Sequence, residues 1–161
     1  MVTDTLEAAP PLASDLCWLL SRASHNLTTE LTAALEDLGI SPRAHAVLTT
    51  ALTGEHTQTE IARLVGLDKT TMVVTVDELE AAGLAERRSS STDRRARVIV
   101  VTAAGRQSVE AADKVLDRVR DDVLSALEPD EREIFLTALS RLACGRLSEP
   151  VRCAHPVRRP R

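Results

Sequence analysis

Apolar residues recur every three or four positions along the first forty residues of the chain. Between residues 14 and 38 they form one stripe of leucines and alanines, which predicts a helix of about six turns. Gly39 supplies the left-handed residue that ends such a helix. Ser41 followed by proline is typical of an N-cap and a first helical turn, so a second helix is expected from there to Gly54.

Two shorter helices follow, and capping residues mark their ends. The segment 57–60, TQTE, fits a capping box, and Gly66 ends the helix after about two turns. Asp68 caps the next helix, which ends at Gly83. Its inward stripe consists of Met72, Val76 and Leu79. Two short helices joined by a tight turn that contains glycine form a helix-turn-helix, in which the second helix is the recognition helix.

The pattern changes after Gly83. Residues 84–88 and 97–101 are predicted to be strands, and the polar run 89–95 separates them. The second strand is β-branched at consecutive positions, which disfavours a helix. A hairpin directly after a helix-turn-helix is a wing. We therefore expect residues 41–102 to form a winged helix-turn-helix.

Two further helices and two terminal segments complete the pattern. Thr102 caps a long fifth helix, and the segment 128–130, EPD, starts a sixth. The stripe of the sixth helix that is expected to face inward consists of Ile134, Phe135, Leu139 and Leu142. The predicted fold class is mainly α with a small β-hairpin wing. Residues 1–13 are expected to be a flexible N-terminus, and residues 148–161, with three prolines and four arginines, a mobile basic tail.

The overall composition restricts the classes of function. The 161 residues are 43% hydrophobic and 27% charged with a net charge of −4, as in a soluble globular protein. No apolar run is long enough to span a bilayer and no secretory signal is present, so a cytoplasmic protein without a membrane partner is expected. No motif of catalysis, cofactor binding or metal binding is found. We therefore expect neither an enzyme nor a bound cofactor or metal.

Basic residues are concentrated between the two predicted strands. Within residues 87–97, five arginines and the single acid Asp93 give a local charge of +4. The arginines are Arg87, Arg88, Arg94, Arg95 and Arg97. A solvated hairpin without a partner is one interpretation. The position beside a recognition helix favours another, in which guanidinium groups enter a narrow minor groove of double-stranded DNA and Asp93 orients Arg95 by a charge-assisted hydrogen bond.

The recognition helix supplies the other candidate DNA contacts. The residues left outside its inward stripe are Lys69, Thr70, Thr71, Val73, Val74 and Thr75. Hydroxyl groups in the first turn can hold phosphates or base edges. For the two valines two interpretations stay open, contact with thymine methyl groups or, for one of them, a place in the core. Base-specific hydrogen bonds are expected to be sparse, which gives more weight to the wing.

These motifs together resemble those of the MarR family of winged-helix transcription regulators. The resemblance covers about residues 14–147 and depends on TQTEIARLVGL, LDKTTMVVTVDELEAAGLAER and DRRARVIVVTAAG. The family's wing signature is matched by Asp93, Arg95, Thr102 and Gly105, with Val101 in place of the usual leucine. The motifs agree in type, order and spacing.

The resemblance implies a homodimeric regulator, usually a repressor, in which the first, fifth and sixth helices interleave between subunits. Residues 14–40 and 103–147 then form the dimerisation region on either side of the winged helix-turn-helix. Apolar stripes that one short helix-turn-helix could not cover agree with this arrangement. Two recognition helices would enter major grooves about one turn apart, which predicts a near-palindromic operator.

The resemblance also implies a signal that changes DNA affinity, usually a small aromatic or phenolic ligand. Trp18, Arg22 and His25 follow one another at helical spacing, and together they offer an aromatic ring, a fixed cation and a titratable ring to an aromatic anion. In the alternative interpretation, Trp18 packs at the dimer interface and the other two side chains face water.

Oxidation of a cysteine is the second hypothesis for the signal. In the peroxide-sensing branch of the family a reactive cysteine lies near the start of the first helix, where this chain has Cys17, and Cys144 is a candidate resolving thiol. That branch supports its thiolate with tyrosines, and this chain has none. A third hypothesis is a winged helix that binds protein instead of DNA. Such a module has no use for five arginines in the wing.

Overall fold

The computed structural model describes residues 12, 14–91, 93, 95–149 and 151, and the elements follow the predicted order. The helices are α1 Leu16–Ala34, α2 Pro42–Ala51, α3 Gln58–Val65, α4 Lys69–Ala81, α5 Ala103–Leu124 and α6 Pro129–Arg141. The strands are β1 Ala85–Ser89 and β2 Arg97–Val101. A 3-10 turn, Glu36–Leu38, follows α1, and a π-helical turn, Leu142–Arg146, follows α6. The predicted N-terminal segment and tail lie outside the described residues except for 12, 148, 149 and 151.

Polar side chains set the starts of the helices where the sequence predicts them. Ser41 Oγ accepts a hydrogen bond from the backbone of α2, and Thr57 and Glu60 form the predicted capping box of α3. Asp68 Oδ1 accepts two backbone N–H groups from the first turn of α4, at 2.9 and 3.0 Å. These bonds satisfy donors that have no partner inside a helix. Gly66, with φ of 72°, makes the short turn between α3 and α4.

The core lies between the helix-turn-helix, the hairpin and the first half of α5. Its fully buried apolar side chains are Leu35, Val47, Leu48, Ile61, Met72, Val76 and Ile99. Val109 and Ala112 of α5 extend the same cluster. Burial of these side chains fixes α4 and the hairpin in position relative to each other. Among the described residues, no helix combines the length and the apolar character needed to cross a membrane.

The hairpin is attached to the helix-turn-helix through β2. The two strands pair antiparallel, with Arg87 opposite Ile99. On the other side of β2, the N–H of Ile99 donates to the carbonyl of His56 at 3.1 Å, and Thr57 forms a bridge with Val98. The predicted second strand matches β2, and β1 lies one residue further along the chain than predicted.

The stripe predicted to face inward on the sixth helix is not buried within the chain. Ile134, Phe135 and Leu142 are 69%, 46% and 40% exposed, so this prediction is wrong for a single copy. The chain divides after Val119 into two compact units. The described part of the second unit contains no buried residue. One short helix with its flanking turns is too small to bury its own apolar stripe. Helix α1 also has no buried residue.

Candidate nucleic-acid interface

The outward face of α4 is the first part of the candidate interface. Lys69 and Thr70 are exposed in its first turn, and Val73 and Val74 are 37% and 46% exposed in the next. Neither valine is therefore a core residue. The half-buried Thr71 donates its hydroxyl to the N-cap carboxylate at 2.6 Å, so that hydroxyl serves the cap of the helix.

Thr75 corrects the predicted set of groove-facing residues. It is 0% exposed, and its hydroxyl donates to the carbonyl of Thr71 at 2.8 Å. Thr75 lies three residues after Met72 and four before Leu79, both of which are buried. The prediction that Thr75 faces the groove is wrong, because helical geometry places it in the inward stripe.

Asp93 orders the loop of the wing. Its Oδ1 accepts the backbone N–H of Arg95 at 2.9 Å, and its carbonyl accepts the N–H of Ala96 at 2.9 Å. The N–H of Ser90 donates to the carbonyl of Ala96 at 2.9 Å and closes the turn. The bond expected between Asp93 and Arg95 is thus made to the backbone of Arg95 and not to its guanidinium. Asp93 fixes the path of the chain from which the Arg95 side chain projects.

Glu55, in the loop between α2 and α3, holds the first residues of the wing loop. Ser90 Oγ donates to Glu55 Oε2 at 2.8 Å, and the backbone N–H of Ser91 donates to the same oxygen at 3.2 Å. These bonds from Ser90 and Ser91 favour the charged form and lower the pKa of Glu55 below its usual 4.5. Glu55 could not be identified from the sequence, because no spacing pattern links residues 35 positions apart.

Arg87 is engaged by the helix-turn-helix. Its guanidinium bonds to Glu80, to Asp77 Oδ1 at 2.6 Å and to Gln58 Oε1 at 3.3 Å. The backbone N–H of Arg87 also donates to Glu80 Oε1 at 2.7 Å. Two carboxylates therefore neutralise this cation and join β1 to α4. The geometry does not support the predicted contact between Arg87 and DNA. It adds three positioning residues that no motif in the sequence indicates, Gln58, Asp77 and Glu80.

The other wing arginines differ in how far their charge is neutralised. Arg88 pairs with Glu86 at 2.7 Å on the surface of β1. Arg95 and Arg97 are exposed, and within the described part of the chain no carboxylate or carbonyl engages their guanidinium groups. Arg94 lies outside the described residues. Arg95 and Arg97 thus offer their charge to an anionic partner.

Comparison with known proteins identifies the family that this chain resembles. The MarR family model matches residues 38–96. The structure of CouR from Rhodococcus jostii RHA1 bound to p-coumaroyl-CoA is 27% identical with a TM-score of 0.76, over 85% of this chain and 97% of that chain. A MarR-family transcriptional regulator from Rhodococcus sp. RHA1 is 27% identical with a TM-score of 0.76, over 84% and 96%. The helix-turn-helix and wing thus match the MarR family, and the fold is similar to that of MarR-family transcription regulators.

These similarities support a DNA-binding transcriptional regulator. The transcriptional repressor CouR bound to a 23-mer DNA duplex is 28% identical with a TM-score of 0.77, over 83% of this chain and 96% of that chain. The family match covers α2, α3, α4, β1 and the wing loop up to Ala96. The exposed face of α4 and the wing arginines therefore lie within or directly beside the matched segment.

The predicted ligand residues lie on α1, and the structure does not bring all three of them together. The guanidinium carbon of Arg22 is 5.3 Å from the centroid of the Trp18 ring, a cation–π contact. His25 and three threonines of α1 line an open cleft of about 750 Å³ that extends to residues 39–41. The lining does not include Trp18 or Arg22. The structure thus pairs Trp18 with Arg22 and places His25 at the cleft.

The two candidate redox residues, Cys17 and Cys144, are exposed and free. Cys17 lies in α1, whereas Cys144 lies in the π-helical turn after α6. They belong to different compact units of the chain. Their roles as sensor and resolving thiols stay a prediction.

Proposed function

We propose that this protein is a homodimeric MarR-family repressor that binds a near-palindromic operator and leaves it when a small aromatic ligand binds. The observation that carries the DNA contacts is the difference among the wing arginines. Arg87 and Arg88 pair with carboxylates of the chain. Arg95, by contrast, projects from the loop that Asp93 orders, and Arg97 from the first position of β2. A guanidinium that is not paired within the chain can bind phosphate or a narrow minor groove without first breaking an ion pair.

The exposed apolar residues of α1 and α6 support the homodimer. On α1 they include Leu16, Leu19 and Leu27, which are 58%, 42% and 37% exposed. On α6, Ile134, Phe135 and Leu136 are 69%, 46% and 44% exposed. A second copy of the chain that covers both helices would remove this apolar surface from water. We expect a dimer in sedimentation equilibrium at micromolar concentration, and a monomer would refute this part of the proposal.

The ligand class is supported by the likeness to CouR, which is bound to p-coumaroyl-CoA. The p-coumaroyl group is a phenol, and we propose a phenolic or aromatic acid for this chain. The cleft beside His25 provides the space. The Trp18–Arg22 pair lies outside the lining of that cleft, and it offers a ring and a cation elsewhere on the same helix. A ligand that prefers one dimer geometry by about 100-fold, or about 2.7 kcal/mol, is enough to release an operator.

Binding of a fluorescent DNA duplex at several salt concentrations tests the DNA contacts. Phosphate contacts give a steep decline of the logarithm of affinity with the logarithm of salt concentration. Arg95→Ala is expected to weaken binding by about 1–3 kcal/mol. Arg118→Ala removes the same charge from an exposed position of α5 and is the matched control. Equal losses in the two variants would show that net charge, and not a wing contact, sets the affinity. Absence of salt-dependent binding would favour the protein-binding module.

Fluorescence of Trp18, the single tryptophan of the chain, tests the ligand. Phenolic acids are expected to quench it and to release DNA in the same concentration range, and Arg22→Ala is expected to weaken anionic ligands more than neutral ones. The exposed Cys17 supports the rival signal. In that case peroxide releases the DNA and Cys17→Ser prevents the release. Release from Cys17→Ser protein by peroxide would exclude this thiol as the sensor.

A further inference from the structure

The centre of the outward face of α4 is apolar. Val73 and Val74 are both more than a third exposed, at 37% and 46%. One turn earlier stand the exposed Lys69 and Thr70. The side chains that precede the valines can therefore hold phosphates. The valines themselves form the middle of the outward face of the helix.

The polar side chains near the valines are already engaged within the chain. The hydroxyl of Thr71 donates to the N-cap carboxylate at 2.6 Å. One turn beyond the valines, Asp77 accepts from Arg87 at 2.6 Å, and Glu78 pairs with Arg43 at 3.6 Å. None of these three side chains is a ready hydrogen-bonding partner for a base edge. The side chains of α4 that have no partner within the described part of the chain and can reach a base edge by a hydrogen bond are thus those of its first turn, Lys69 and Thr70.

We propose that α4 reads its half-site through the 5-methyl groups of thymine, against which Val73 and Val74 pack. This inference rests on the proposed DNA-binding function and on the entry of the recognition helix, α4, into the major groove that the family resemblance implies. The thymine methyl is the apolar group that a base pair presents there, whereas the other positions present hydrogen-bond donors and acceptors. A valine pressed against a donor or acceptor would leave that group without a partner, which is unfavourable. The valines therefore select thymine by contact and reject cytosine and guanine by desolvation.

Replacement of single thymines by uracil tests the inference, because uracil lacks only the methyl group. The operator is first obtained by in vitro selection from random duplex DNA with the full-length protein. Each uracil that faces Val73 or Val74 is expected to weaken binding about fourfold, the effect of exposing one methyl-sized group. Replacement at the equivalent position of both half-sites is expected to weaken binding about fifteenfold. Cytosine in the same position is expected to bind more weakly than 5-methylcytosine.

Val73→Ala and Val74→Ala show whether the valines are the partners of the methyl groups. Both positions are exposed, so the variants are expected to fold normally. At a position where uracil weakens binding of the parent protein, one of the two variants should bind the thymine and uracil operators equally. The same variant should keep the salt dependence of the parent. A uracil effect that persists at full size in both variants would assign it to DNA shape and overturn the inference.

Two other outcomes separate this inference from the proposed function. A selected operator that binds with steep salt dependence but tolerates uracil at every position would overturn the methyl readout and leave the DNA-binding function intact. If selection yields no operator and no salt-dependent binding, the proposed function fails, and the inference fails with it.

Discussion

Replacement of Arg87 by methionine would show how strongly this side chain holds the wing to α4. The Arg87 side chain is 27% exposed, and its partners Glu80 and Asp77 are 34% and 61% exposed. A hydrogen bond to a half-buried carboxylate contributes about 1.5 kcal/mol. The exposed pair with Asp77 contributes about 0.5 kcal/mol, and the bond to Gln58 about 0.5 kcal/mol. Methionine keeps the apolar stem, so Arg87→Met is expected to lower the free energy of unfolding by about 2.5 kcal/mol.

Arg88→Met is the matched control for this measurement. Arg88 is the next residue of β1, and its pair with Glu86 is exposed on both sides, at 61% and 50%, so its loss is expected to cost about 0.5 kcal/mol or less. Urea unfolding followed by circular dichroism measures both variants. Each loses one positive charge, so any greater loss of DNA affinity in Arg87→Met reports the position of the wing. Equal destabilisation of the two variants would refute the structural role of Arg87.

Three further changes have expected outcomes. Gly105→Ala should destabilise the protein by about 3 kcal/mol or more, because a Cβ there would lie 2.1 Å from the carbonyl oxygen of Leu84; a thermal melt within a degree of the parent would contradict this close contact. Asp93→Ala should weaken DNA binding about threefold to tenfold although it removes a negative charge, because the wing loop loses its backbone acceptor; tighter binding would contradict the ordering role. The lowered pKa of Glu55 means that its bonds to the wing loop add stability above the usual value of 4.5 and lose it as the pH falls below that value. Glu55→Gln should flatten this part of the profile of stability against pH, and an unchanged profile would argue against the contact.

Elements whose signals are local could be predicted from the sequence. The capping box of Thr57 and Glu60, the Asp68 cap and the strand 97–101 depend on residues within a few positions of one another, and all three are confirmed. The prediction that Thr75 faces outward is wrong, because its spacing from Met72 places it in the inward stripe although its side chain is polar. A threonine can enter a core when its hydroxyl bonds to the preceding turn of its own helix.

Contacts made by tertiary packing could not be predicted. Glu80 and Arg87 lie on different elements, and only the packing of the hairpin on α4 brings the two side chains together. Glu55 meets Ser90 because β2 is paired with the segment before α3. In both cases the charge of the residue is visible in the sequence, but its partner is not. A count of wing arginines therefore overestimates how many of them are available to DNA.

The pairing of the hairpin also bears on how the protein avoids association through its strands. An open strand edge offers backbone donors to any extended segment of another molecule. β2 has β1 on one side and residues 56–57 on the other. On the outer edge of β1 the N–H of Arg87 already donates to a side chain of α4, and Glu86 and Arg88 place charges beside it. An incoming strand would have to displace a carboxylate and bury two ions, so the wing is protected from amyloid-like strand addition while its loop stays open to DNA.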